Sequence, residues 1–273
     1  MYWKKKSKDP ARSWTFSVER SRRTTVLSLH EWESLAGADL GSLDGLWDFF
    51  AEEKRKPSRV IVFVAPPCLL RPRSLARLLG DPDAGSDVPS VEVSKRILRE
   101  ENVNQRFIEN VRGLDSFVVG VADGEVALRL AAPLLACDYR IVSSGTVFVN
   151  TTQKYPRAPL NCLPWLLAEM VGGARASQLL LDVPRMSADD AYALGLVNHI
   201  AAVDRLKEEA LEIADRIGSL PRATIVSLKR AMIATSVGFE SYRQKELALT
   251  QKIASSHWEE EQGGSHENRH SNC

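Results

Sequence analysis

A single proline inside an apolar run gives the first indication of chemistry in this sequence. In VALRLAAPLLACD, residues 126–138, Pro133 is tolerated only in the first turn of a helix, because deeper inside it costs about 3 kcal/mol. The helix is therefore expected to begin near Arg129 to Ala132. Its unbonded backbone N–H groups and positive dipole end then face the Asp123-Gly124 turn, an arrangement suited to an anion or a developing oxyanion. The competing reading is an ordinary buried helix that needs no ligand. Glu125, directly after the turn glycine, is the acid placed to turn toward such a site.

Other chemistries have weaker support. Cys68, Cys137, Cys162 and Cys273 show no CxxC spacing, which suggests buried reduced thiols and not a disulfide framework or a zinc site. Three of the five histidines, His257, His266 and His270, lie in or beside a polar C-terminal tail expected to be disordered, so no metal is indicated. Residues 1–25 carry eight Lys/Arg against Asp9 and Glu19, a basic arm that could touch phosphates of a nucleotide or of RNA. Over the whole chain of 273 residues, however, 36 Lys+Arg balance 35 Asp+Glu, so no bulk field demands a nucleic-acid partner. The sequence offers neither a spanning apolar run nor an apolar segment behind the first basic residues, so no membrane span or secretion signal is expected, and the expected location is cytoplasmic.

The elements that would position these residues alternate. TTVLSL (24–29) and RVIVFVA (59–65) read as buried strands, and Leu40 to Arg55 between them as an amphipathic helix, giving a parallel βαβ unit. The stretch from Val91 to Gly113 is helical, with Ile97, Val103, Phe107, Ile108 and Val111 as its apolar stripe. FVVGVADG (117–124) is a strand ending in a turn, VALRLAAPLLACD a buried helix, and YRIVSSGTVFV (139–149) two strands pinched at Ser-Gly. WLLAEMVGG is a helix ending on paired glycines in the left-handed manner, and Ser187 with Asp190 is a capping signature. Residues 203–217 place Val203, Leu206, Ala210, Ile213, Ala214 and Ile217 on one helical face, and further helical patterns cover 222–236 and 239–257. The class is α/β.

At this point the chain resembles the crotonase superfamily, the enoyl-CoA hydratase and isomerase fold. Gly124 lies fourteen residues before Asp138 in DGEVALRLAAPLLACDYRIVSSGTVFV, in the frame of a family block, and VGGARASQLLLDVPRMSADDAYALGLVNHI is similar to a second one. The resemblance implies a spiral of ββα repeats over 13–200, after a basic arm at 1–12. It also implies a C-terminal helical oligomerisation module over 201–258, followed by a disordered tail at 259–273. It implies an acyl-thioester ligand, carried on CoA or a carrier protein, with no other cofactor. The assembly it implies is a homotrimer or hexamer, with a hetero-oligomer containing a paralogue as the variant. It further implies an oxyanion hole of two backbone N–H groups, which fall on Cys68 and on Arg129, the position of the family's middle glycine. Ala65, Pro67, Leu69, Leu128, Ala132, Thr152 and Tyr155 would line the substrate.

The departures from the family pattern shape the expected activity. Hydration needs an acid/base pair. The two positions that carry glutamates in hydratases are here Ala132 and Thr152, neither of which transfers a proton. The glycine triplet reads Leu128, Arg129 and Leu130, whose side chains would crowd a thioester, and Pro66 and Pro67 carry no N–H. Glu125 and Lys154 are the remaining candidates for catalysis, with Asp123, Tyr155 and Arg157 nearby in sequence. Asp138 is expected to be structural. The expectation is altered chemistry of the lyase or isomerase kind, in which an oxyanion hole stabilises an enolate, in place of ordinary hydration. The alternatives are a catalytically silent subunit or scaffold and, disfavoured by the balanced charge, an RNA-binding protein.

Overall fold

A computed structural model describes residues 16–29, 40–65, 72, 75–76, 83, 90–152, 160–236 and 238–250, excluding the side chains of 40–42 and 90–94. β1 (Phe16–Arg20) pairs antiparallel with β2 (Thr24–Leu29), and α1 (Leu40–Arg55) leads to β3 (Val60–Val64), parallel to β2 with Thr24 opposite Val60. Helix α2 (Ser90–Gly113) precedes β4 (Phe117–Ala122), which lies parallel to β3. The chain then leaves the sheet through β5 (Glu125–Ala127), a 3₁₀ turn (Leu128–Leu130) and the one-turn helix α3 (Ala132–Leu135). It returns through β6 (Tyr139–Ser143), which is parallel to β4.

β7 (Val147–Val149), α4 (Leu163–Val171), α5 (Gly173–Leu181), β8 (Arg185–Ser187), α6 (Ala188–Ala193) and β9 (His199–Ala201) follow. One sheet runs β1-β2-β3-β4-β6-β9 and a smaller one β5-β7-β8, so β6 and β7, adjacent in sequence, belong to different sheets. β5 and β7 pair in parallel and β7 with β8 antiparallel. Two further helices, α7 (Leu206–Gly218) and α8 (Arg222–Thr235), and a helical stretch at 239–250 complete the fold.

Two contacts hold this layering. An added Cβ at Gly120, in the middle of β4, would stand 2.8 Å from Leu134 Cδ1 and 2.9 Å from Cys137 Sγ, so only glycine lets α3 close onto the strand. Asp138 accepts from the backbone N–H of Val118 at 2.7 Å and pairs with buried Lys229 of α8 at 2.7 Å. Lys229 also donates to the carbonyls of Val111 and Ser116. Asp138 therefore has the structural role expected of it, and it ties the C-terminal helices to the sheet.

Three details differ from the sequence reading. Residues 126–135 form not one helix but a strand end, a 3₁₀ turn and a single helical turn, because Pro133 at the second helical position and the early stop at Ala136 leave room for no more. Gly172 has φ 77 and ψ 156, which is not left-handed helical, and Gly173 already starts the next helix. Val203 is 58% exposed, ahead of α7, and adds nothing to its buried face.

Candidate active site

The buried face of α2 is not uniformly apolar. Glu100 and Asn104 lie four residues apart in line with Ile97, Phe107, Ile108 and Val111, and both are completely buried. Beside them, Glu101 and Gln105 are also buried. Facing this row is Arg129 of the 3₁₀ turn, itself only 6% exposed. Its Nη2 stands 3.6 Å from Glu100 Oε2 and donates to Glu101 Oε1 at 3.3 Å. The turn forms as β5 ends at Ala127, which is extended and supplies no side-chain cap. The Arg129 side chain thus enters the interior from the turn.

A second strip of chain closes the cluster. Asn161 and Cys162 both adopt φ 59, a left-handed conformation that asparagine takes readily and cysteine rarely. Asn161 Nδ2 donates to Glu100 Oε1 at 2.6 Å, as does Asn104 Nδ2 at 2.9 Å. The strained Cys162 is held by Glu246 of the 239–250 stretch, whose two carboxylate oxygens accept from its N–H at 2.9 and 2.8 Å. Glu246 also accepts from Gln105 and from the hydroxyl of Tyr242.

Burial governs the acidity of this cluster. Loss of water around Glu101 pushes its carboxyl up to about 7, against the pull of Arg129 and with a further push from Glu100 and Glu246. Glu100 is raised by the same desolvation, again opposed by Arg129 and by the amides that bond to it. A carboxyl titrating near neutrality and paired with the Arg129 side chain of the 3₁₀ turn can give and take protons at working pH.

The residues singled out in the sequence separate into three sets. Leu128, Arg129 and Ala132 are buried together, and Ala65 is buried at the end of β3, where its N–H bonds to Val121 O at 3.0 Å. Glu125 does not turn inward: it opens β5, half exposed, with its carboxylate 2.7 Å from Arg185 of β8. Asp123 accepts from the Ser143 hydroxyl as a turn residue. Thr152 is half-buried, its N–H bonded to Asn150 Oδ1 at 2.9 Å. Pro67, Cys68, Leu69, Lys154, Tyr155 and Arg157 lie outside the described residues, as do the basic arm 1–12 and the tail 259–273. Glu100, Glu101, Asn104, Asn161 and Glu246 were missed. The available signal was the pair Glu100 and Asn104, polar residues at stripe positions of an otherwise apolar helical face.

Comparison with known proteins accords with this layout. The enoyl-CoA hydratase/isomerase family profile matches residues 110–269. The chain belongs to the enoyl-CoA hydratase/isomerase family, the crotonase superfamily. It is 31% identical over 119 residues to a short-chain-enoyl-CoA hydratase of Clostridium acetobutylicum, covering 39% of this chain and 44% of that one. It is 30% identical over 142 residues to a trans-2-decenoyl-[acyl-carrier-protein] isomerase of Streptococcus mutans, covering 50% and 52%. The chain spans about half the length of the curated relatives it matches. Among solved structures, an enoyl-CoA hydratase from Bacillus halodurans superposes with a TM-score of 0.69 at 18% identity, covering 88% of this chain and 96% of that one. An enoyl-CoA hydratase/isomerase from Cupriavidus metallidurans gives 0.64 at 20%, covering 90% of each. The fold is therefore the α/β crotonase spiral with a C-terminal helical module. No helix among the described residues is long and apolar enough to cross a membrane.

Proposed function

We propose that this chain binds an acyl thioester, on CoA or a carrier protein, and acts on it by enolate chemistry of the isomerase or decarboxylase kind, not by hydration. The observation that carries the reading is the buried Glu100–Glu101–Arg129 cluster, in a chain whose residues at the family's usual carboxylate positions, by the resemblance, are Ala132 and Thr152. The thioester carbonyl would take a hydrogen bond from the Arg129 backbone N–H and a second from the segment around Cys68. Negative charge that develops on the carbonyl oxygen as the α-proton leaves is stabilised by such donors. Glu101, whose carboxylate burial makes more basic, would receive that proton and return it elsewhere on the chain for isomerisation. The relatives named as hydratase and as isomerase support the substrate class, and their names leave the reaction open.

One observation favours a silent subunit instead. Leu128, Arg129 and Ala132 are all at most 6% exposed, so the volume that bare glycine would leave open is filled. Calorimetric titration with butyryl-CoA and free CoA separates the two readings. Saturable binding, with the acyl thioester tighter than CoA, supports the enzyme. No heat at millimolar ligand supports the silent subunit.

We further propose a homotrimer or hexamer. Exposed Leu228 and Met232, four residues apart on α8, support it as a small apolar face of the C-terminal helices.

A further inference from the structure

The near balance of 36 Lys+Arg against 35 Asp+Glu conceals a local excess at one end of the main sheet. Arg22 and Arg23 lie in the turn between β1 and β2, Lys54 and Arg55 close α1 with Lys56 behind them, and Arg222 opens α8. All six are exposed, and none of their side chains forms an ion pair or hydrogen bond among the described residues. Arg59 ties the three elements together: its N–H donates to Arg23 O at 3.0 Å, and its guanidinium donates to Gly218 O and Leu220 O at 3.0 and 3.1 Å. Of the acids at this end, Glu52 and Glu53 are held by Arg20 and Asp115 by Arg230, which leaves exposed Asp215 and half-buried Glu19. The helix dipoles account for only part of the excess. Lys54 and Arg55 answer the negative end of α1, but Arg222 stands at the positive end of α8, whose first turn holds no acid.

We infer that this end of the molecule docks on an anionic lipid surface. Each cation held near anionic headgroups raises partitioning by about fivefold, so unpaired cations on three neighbouring elements act together on an extended anionic plane. An apolar side chain is also present. Leu220, two residues before Arg222 and joined through its carbonyl to Arg59, is 46% exposed, and its entry into the headgroup layer adds a contribution that salt does not screen. A single-stranded nucleic acid is served less well, because it binds best where aromatic rings stack on its bases. Tyr192, the one exposed aromatic among the described residues, belongs to α6 and packs beside β9, at the opposite edge of the sheet from β1 and β2. The docking face borders the N-terminal ends of β2 and β3, whereas the 3₁₀ turn follows the C-terminal end of β4. The inference is therefore independent of the thioester reading.

The test is sedimentation of the full chain with vesicles of phosphatidylcholine alone and of phosphatidylcholine with about 30 mol% phosphatidylglycerol, with a single-stranded RNA of about 20 nucleotides titrated separately. The expected result is binding to the anionic vesicles about tenfold or more tightly than to the neutral ones, weakened by salt. Arg22→Glu, Arg55→Glu and Arg222→Glu combined should cost about tenfold or more, whereas the same reversal at exposed Arg175, Lys207 and Lys245 should cost far less. Leu220→Ser should weaken binding about threefold with the salt dependence unchanged. If the first triple variant fails to fold, the two vesicle compositions and Leu220→Ser still decide. Equal binding to both vesicles, or equal loss in the two triple variants, overturns the inference. Binding indifferent to Leu220→Ser, or RNA bound more tightly than the anionic vesicles, overturns the lipid assignment.

Discussion

At the scale of single residues, the two acids Glu101 and Glu125 make opposite predictions. The folded chain holds the Glu101 proton more tightly than the unfolded chain does, since its carboxyl moves from 4.5 to about 7 on burial. Its contribution to stability is therefore fully present below the unfolded value and is lost as pH rises through the folded one. Melting temperature should fall across that window, and Glu101→Gln should flatten the fall, as thermal melts at pH 5 and pH 8 would show. A variant with the same slope as the parent would place the buried charge elsewhere. Glu125→Ala removes only an exposed pair with Arg185, so a loss of stability below about 1 kcal/mol is expected by chemical denaturation.

At the scale of elements, the sequence made the central strands plain because their apolar runs are long. TTVLSL, RVIVFVA and FVVGVA sit in the sheet as β2, β3 and β4. Three-residue strands such as β5, β8 and β9 are too short for any periodicity and were not legible. The site was legible in half. Pro133 and the missing glycines marked the turn, and Arg129 was seen as a side chain in the way. Its partners on α2 were not seen, because pairing between a helix and a distant turn leaves no local pattern. Gly120, unremarked in the sequence, fixes where α3 lies. Gly120→Ala would force Leu134 and Cys137 off the strand, at a cost of about 1–3 kcal/mol in urea unfolding. Unchanged stability would show that α3 can slide without penalty.

At the scale of the whole molecule, the polar contacts that tie the C-terminal helices to the core include Lys229 on Asp138 and Glu246 on Cys162. The first contact is buried, and Lys229→Met would leave Asp138 without its cation. A loss of about 3 kcal/mol is expected, read as a lower denaturant midpoint. The second contact makes the 239–250 stretch part of the proposed active site, since Glu246 supports the same turn from which Asn161 reaches Glu100. The central claim is that proton transfer has moved from the usual glutamate positions to the carboxylates of α2. It is tested most directly by incubating the chain with butyryl-CoA in deuterium oxide and following deuterium at the α-carbon by mass spectrometry, with crotonyl-CoA hydration assayed alongside. The account predicts α-deuteration that rises with pH through about 7 and is lost in Glu101→Gln, with no hydration. Hydration of crotonyl-CoA, or exchange indifferent to Glu101→Gln, would contradict it.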